Sequence, residues 1–140
     1  MEELSKTRQQ ISTLNKRRTE LLSRIMNTEP FIAAQVYERF KKCGHKNCKC
    51  ANGELHGPFT WIYQKKKDQK LISTTIKKDI APEALVLAGN YKALQELRKQ
   101  VREIDDQLNL LINTIEKILE QDATKYVAKK EATKGRPKAD

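Results

Sequence analysis

The sequence predicts an α+β fold in which a long antiparallel helical hairpin flanks a small antiparallel β-hairpin or three-stranded sheet. Two observations predict it. Apolar residues recur at alternating spacings of three and four in an N-terminal and a C-terminal segment, and an alternating pattern rich in aromatic and β-branched residues lies between them. The chain has 140 residues, of which 38% are hydrophobic, so we expect one small domain with a modest core.

The first predicted element is a coiled-coil helix over residues 1–28. Pro30 ends it soon after Asn27, because proline cannot donate a backbone hydrogen bond. Two seam positions are polar, which weakens the pattern. The seam consists of Leu4, Thr7, Ile11, Leu14, Arg18, Leu21 and Ile25.

A second coiled-coil helix is predicted over residues 80–122, with Pro82 in its first turn, where a missing N–H costs nothing. This second helix would be about 60 Å long, and the first helix only about 39 Å. The first helix therefore leaves part of the seam of the second helix uncovered. A second copy of the chain, forming a homodimer, or the middle module could cover the rest. The unbroken seam consists of Leu94, Leu97, Val101, Ile104, Leu108, Leu111, Ile115 and Ile118.

The middle module, residues 31–78, should contain the strands. Residues 59–65 and 70–76 predict a β-hairpin joined by the polar residues 66–69. Residues 33–41 favour a third strand, although a short helix fits their pattern nearly as well.

Three cysteines fall within eight residues of this module: Cys43, Cys48 and Cys50. An odd number of clustered cysteines favours metal binding over a disulfide framework. Structural zinc takes four N or S ligands, so we predict a Zn²⁺ ion with His56 as the fourth ligand and His45 as the alternative. His56 is preferred because it precedes Gly57-Pro58 at the start of the hairpin, where a coordination bond would tie the loop to the sheet. Three reduced cysteines in an ordinary loop are the competing interpretation.

Positive charge is concentrated in two segments. The formal net charge is +10, and residues 39–78 hold eleven Lys or Arg against two Asp or Glu, while residues 123–140 hold six against two. Clustered cations neutralise phosphates and release counterions, so a nucleic acid is the expected partner, first of all double-stranded DNA, with RNA as the alternative. A solvated basic face is the competing interpretation.

Two groups of lysines are the expected phosphate contacts. One group surrounds the cysteines and consists of Lys41, Lys42, Lys46 and Lys49, and the other lies at the hairpin tip and consists of Lys65, Lys66, Lys67 and Lys70. Phe59, Trp61 and Tyr63 share one strand face, where they either stack on bases or, the favoured interpretation, pack onto the helices.

The tail, residues 123–140, is predicted to be disordered in isolation. Its Lys134-Gly135-Arg136-Pro137-Lys138 segment is similar to an AT-hook core, in which Arg136 would enter a narrow minor groove between Lys134 and Lys138. A merely solubilising tail fits the composition equally well.

Over residues 33–120 the chain resembles an uncharacterised family of small bacterial and archaeal proteins, often encountered beside transposases and other mobile-element genes. The shared motif is C-G-x3-C-x-C-x2-G-E-x-H-G-P, preceded by Y-x-R, and here it comprises Tyr37, Arg39, Cys43, Gly44, Cys48, Cys50, Gly53, Glu54, His56, Gly57 and Pro58. His45 and the Lys66–Gln69 turn depart from the family pattern. The resemblance implies a mobile-element setting and a nucleic-acid role, and it carries no established activity.

These observations predict a noncatalytic, zinc-stabilised accessory or regulatory protein that binds nucleic acid. The sequence shows no obvious acid or base that would pair with a catalytic thiol, so we expect no enzyme. The alternatives are a protein-interaction adaptor or an inhibitor or antitoxin that uses the helical hairpin, with a recombinase, transposase or other protein as its partner. No apolar stretch of about 18 residues and no signal-peptide pattern occur, so we expect no membrane partner and a cytoplasmic, nucleoid-associated location.

Overall fold

The computed structural model describes residues 1–41, 53, 55–65 and 70–128. Its elements are helix α1 (Glu2–Met26), strands β1 (Gln35–Lys41), β2 (His56–Lys65) and β3 (Leu71–Thr75), helix α2 (Ala81–Leu119) and a 3-10 helix (Ala123–Tyr126). The α+β class, with two helices and a three-stranded antiparallel sheet, is confirmed. Zinc stabilisation and coiled-coil geometry stay predictions.

The two helices form an antiparallel hairpin. Leu14 of α1 lies across a groove from Leu111 of α2, and Arg24 lies across another from Leu94. The buried centre of the hairpin combines three residues, Leu21, Leu97 and Ile104, with four half-buried neighbours, Leu14, Ile25, Val101 and Leu108. All seven are positions of the predicted seams, because the alternating three-and-four spacing keeps one face of each helix apolar.

The first residues of α2 extend past α1 and contact the sheet. The main contact between the helices and the sheet joins α2 to β1, and Leu85 and Ala88 line a groove there with Val36 and Tyr37. The middle module thus covers the part of α2 that α1 does not reach.

The connection between α1 and β1 is attached to α2. The backbone N–H of Ile32 donates to the carbonyl oxygen of Leu87 at 3.3 Å, and Nδ2 of Asn90 donates to the carbonyl oxygen of Pro30 at 2.9 Å. The rings of Phe31 and Tyr91 lie 5.4 Å apart, centroid to centroid. These contacts fix the position at which β1 begins.

The sheet has the strand order β1-β2-β3. Tyr37 of β1 pairs with Trp61 of β2, which pairs with Thr75 of β3. Residues 33–41 therefore contribute a strand rather than a short helix. Within the described ranges, no helix is long and apolar enough to cross a membrane.

Candidate nucleic-acid interface

Strands β1 and β2 close the loop that carries the cysteines. Lys41, the last residue of β1, is paired with His56, the first residue of β2, after a register shift between Arg39 and Lys41. The chain therefore leaves the sheet at Lys41 and returns beside it. His56 is half-buried and stands at the base of this loop.

The predicted zinc site is only partly covered by the structure. Cys43, Cys48, Cys50 and His45 lie outside the described residues. Among the residues that are described, no group of three His, Cys, Asp or Glu side chains could hold a metal ion. The donor set itself, three thiols and an imidazole, is of the kind that structural zinc sites use.

Glycine is required where β2 begins. Gly57 has a φ of +137°, and a Cβ atom there would lie 2.9 Å from the carbonyl oxygen of Arg39 and 3.1 Å from the amide nitrogen of Phe59. A larger residue would therefore push β1 and β2 apart. The close approach also explains how His56 can stand directly opposite Lys41.

One face of the sheet, which we call the aromatic face, combines rings with cations: Tyr37, Arg39, Lys41, Phe59, Trp61 and Tyr63. Nζ of Lys41 lies 5.4 Å from the ring centroid of Phe59 and 5.4 Å from that of Trp61. Cζ of Arg39 lies 5.9 Å from the ring centroid of Tyr37. These distances are within the range of about 6 Å over which a cation is attracted to the face of a ring.

The aromatic face is open to solvent at its margins. Arg39 and Lys41 are exposed, as are Ser73 and Thr75 of β3, whose register places them beside Tyr63 and Trp61. On the opposite face the aliphatic residues are half-buried: Val36, Ile62, Ile72 and Ile76. The rings of Tyr37, Phe59 and Trp61 are likewise half-buried, whereas Tyr63 is exposed.

The polar edge of Trp61 is buried in the sheet. The indole is half-buried, and its Nε1 atom is shielded from solvent with no hydrogen-bond partner in the described part of the chain. Leaving a buried donor unpaired costs about 1–3 kcal/mol. The shielding of Nε1 shows that the nitrogen edge lies inward, while Lys41 lies over the ring face.

The described lysines of the two predicted groups lie at opposite ends of the sheet. Lys41 marks the end where β1 stops, whereas Lys65 and the exposed Lys70 mark the β2–β3 hairpin end. The ten residues of β2 separate these ends by about 30 Å at 3.3 Å per residue. The other predicted contacts lie outside the described residues: Lys42, Lys46, Lys49, Lys66, Lys67, Lys134, Arg136 and Lys138.

Arg39 is the cation that sequence reasoning missed as a contact. It pairs with Phe59 across the sheet and covers Tyr37. Its spacing of two from both Tyr37 and Lys41 is the signal that places all three on one strand face.

The sequence model of DUF6788, described as a domain of unknown function, matches residues 7–85. The chain belongs to this family. The DUF6788 match begins in α1 and ends in the first turns of α2, so it includes the whole sheet and the cysteine loop. No curated protein and no solved structure matched the chain.

DUF6788 membership confirms the expectation of an uncharacterised family. The cysteine motif as a family signature and the mobile-element setting stay predictions. What the structure adds for this DUF6788 chain is an aromatic face with two exposed cations, Arg39 and Lys41, over its rings.

Proposed function

We propose that this chain is a noncatalytic nucleic-acid-binding protein, with double-stranded DNA as its main partner. One observation carries the proposal most directly. Arg39 and Lys41 are exposed and lie over rings on the aromatic face, within residues 39–78, which hold eleven Lys or Arg against two Asp or Glu. Such a surface attracts phosphates through released counterions.

The basic ends set the orientation of the partner in this proposal. The hairpin end at Lys65 and Lys70 enters a groove or follows the phosphates, and Lys41 contacts the backbone at the far end of the sheet. Arg136 of the tail adds a minor-groove contact. The setting is a mobile element in the cytoplasm, associated with the nucleoid, and RNA is the alternative partner.

Zn²⁺ is the structural cofactor of the proposal. Cys43, Cys48 and Cys50 with His56 would close the loop, and the pairing of His56 with Lys41 supports this assignment because it holds one ligand at the base of that loop. We expect about one zinc per reduced chain, and a chelator should weaken the sheet. His56→Ala should lose the metal while His45→Ala keeps it. Less than about half an equivalent of zinc, or no loss of order with a chelator, would contradict the assignment.

Salt dependence tests the nucleic-acid proposal. Affinity for a DNA duplex should fall steeply as salt rises, with the slope of log K against log salt reduced by about 1 for each lysine contact removed. Changing Lys65, Lys66, Lys67 and Lys70 to Glu should abolish binding. RNA of the same length tests the alternative partner.

The matched control changes four exposed cations of α2 to Glu: Lys92, Arg98, Lys99 and Arg102. Both variants alter the net charge equally, so only the location of the charges differs between them. We expect the control to retain most of its affinity. If both variants lose DNA affinity equally, the β2–β3 hairpin is not part of the interface.

A second candidate function, a protein adaptor or inhibitor, is favoured by exposed apolar residues on α2. Ile112 is 52% exposed and Leu119 is 47% exposed, and their spacing of seven places them on one helix face. A second copy of the chain or another protein would cover this face. An adaptor or inhibitor would form a stoichiometric complex whose stability does not change when nucleic acid is added. Sedimentation should show that Ile112→Glu abolishes this complex.

A further inference from the structure

We propose that the aromatic face binds the unpaired bases of a single strand of nucleic acid, which runs along β2. The proposal rests on the proposed function for its electrostatics and adds the class of substrate. It follows from three features of the described residues: the rings, the cations over them, and the length of the strand between the basic ends.

The rings form a continuous platform. Tyr37 and Trp61 are directly paired across β1 and β2, and Phe59 and Tyr63 lie two residues to either side of Trp61 on the same face. Tyr63 is 37% exposed, and Tyr37, Phe59 and Trp61 are half-buried, so each ring keeps part of its surface open to a base. Successive bases of a single strand stack on such rings with little dependence on sequence, because every base has a π face.

The cations are placed to follow the backbone of that strand. Lys41 covers two rings and Arg39 covers a third, so each charge lies within one side-chain length of a stacked base. When a base takes the place of the ammonium over Trp61, the lysine can turn outward to a phosphate. A strand about 30 Å long would then connect the Lys41 end to the hairpin end.

Neither a duplex nor a protein fits this face as well. In a duplex the bases are stacked on one another and their faces are not available to a ring, whereas in a single strand they are. A protein partner would have to bury Arg39 and Lys41 next to the rings, and charged residues are depleted at the cores of protein interfaces. The aromatic face therefore favours a single strand, whereas a duplex is contacted through the lysines at the β2–β3 hairpin end, as in the proposed function.

Trp61 is the only tryptophan of the chain, so its fluorescence reports directly on this face. We would titrate the full zinc-loaded chain with an oligo-dT strand, with an abasic strand carrying the same number of phosphates, and with a duplex of the same length. The expected result is strong quenching by oligo-dT and little by the other two. An oligo-U strand should quench similarly, because the stacking chemistry is shared.

The outcomes separate this proposal from the proposed function. If the abasic strand or the duplex binds and quenches as strongly as oligo-dT, the stacking proposal is wrong while nucleic-acid binding survives. If every strand binds but none quenches the fluorescence of Trp61, the stacking proposal is likewise wrong and nucleic-acid binding is retained. If no strand binds at low salt, both proposals fail.

Variants locate the bases on the platform. Phe59→Leu and Tyr37→Leu keep apolar bulk but remove a ring, so each should lower the affinity for oligo-dT by about 5-fold or more. Affinity for the abasic strand should hardly change. Ile62→Val, on the opposite face of β2, is the matched control and should leave both affinities unchanged. Equal losses for oligo-dT and the abasic strand would show that the rings only support the fold.

Discussion

Arg18 of α1 donates from Nε to Oδ1 of Asp105 on α2 at 2.7 Å, and this ion pair joins the two helices of the hairpin. The hydrogen bond to Asp105, and then its negative charge, raise the pKa of the Arg18 guanidinium above its ordinary value. Arg18 is a polar position within an apolar seam. Because Asp105 neutralises its charge, Arg18 can lie in the seam between the two helices. The pair forms in only one alignment of α1 against α2.

Charge exchange tests whether this pair selects the register. Asp105→Arg and Arg18→Asp each place like charges within ion-pair distance, so each should lower the melting temperature measured by circular dichroism. The double exchange should recover most of the loss, and the recovery should shrink as salt rises.

The control for this exchange is Arg17, which pairs with Glu20 within α1 and makes only a long hydrogen bond, 3.4 Å, to Gln100 of α2. Arg17→Asp should cause a smaller loss, because an exposed pair inside one helix adds little stability. A double variant of Arg18 and Asp105 no more stable than either single variant would show that the pair has no role in register.

Leu21 should be the most costly residue of the hairpin to truncate. It is 0% exposed and packs with Leu97 and Ile104, so Leu21→Ala removes buried methyl groups and leaves a cavity. We expect the free energy of unfolding in urea to fall by about 2–5 kcal/mol. Met26→Ala, at a residue that is 79% exposed, should change it by no more than about 0.5 kcal/mol.

The seam could be predicted from the sequence because its signal is local. The spacing that places Leu21, Leu97 and Ile104 on apolar faces is determined by the helix period alone. The partner of Arg18 could not be predicted in this way, since Asp105 lies 87 positions away. Which residue it meets depends on how the two helices align after an intervening module.

The same distinction applies to the candidate interface. The basic charge and the aromatic alternation are visible in the sequence, and they identified Lys41 and Trp61. The spacing of two places Lys41 on this strand face, but the rings that it covers, Phe59 and Trp61, belong to another strand, so the contact depends on how β1 and β2 pair. The cysteine ligands lie outside the described residues, so zinc stays a chemical prediction.

Gly57 and Gly89 should respond to alanine with opposite signs. At Gly57 a methyl group would meet the carbonyl oxygen of Arg39 at 2.9 Å in a backbone conformation with φ of +137°, so Gly57→Ala should destabilise the sheet by about 1–3 kcal/mol. Gly89 lies within α2 with nothing near its missing Cβ, so Gly89→Ala should stabilise the chain by about 0.5–1 kcal/mol. Urea unfolding of both variants measures the contrast. A stabilising Gly57→Ala would contradict the close approach of β1 and β2.

Asp122 should make the 3-10 helix sensitive to acid. The hydroxyl of Thr124 donates to its Oδ1 at 2.6 Å and the amide of Thr124 donates to the same atom at 2.9 Å. These two hydrogen bonds lower the pKa of Asp122. A carboxylate with a depressed pKa stabilises the folded turn above its ordinary pKa of about 3.9, and this contribution is lost as pH falls through the lowered value.

The amide resonance of Thr124 should therefore shift with pH only below about 4. Asp122→Asn is the control, because its amide oxygen can still accept both hydrogen bonds but cannot take up a proton in this range. Its Thr124 resonance should stay constant through the same titration. A Thr124 shift whose midpoint lies above the ordinary aspartate value would show that the carboxylate is not stabilised by this turn, since bonds that favour the charged form can only move the midpoint down.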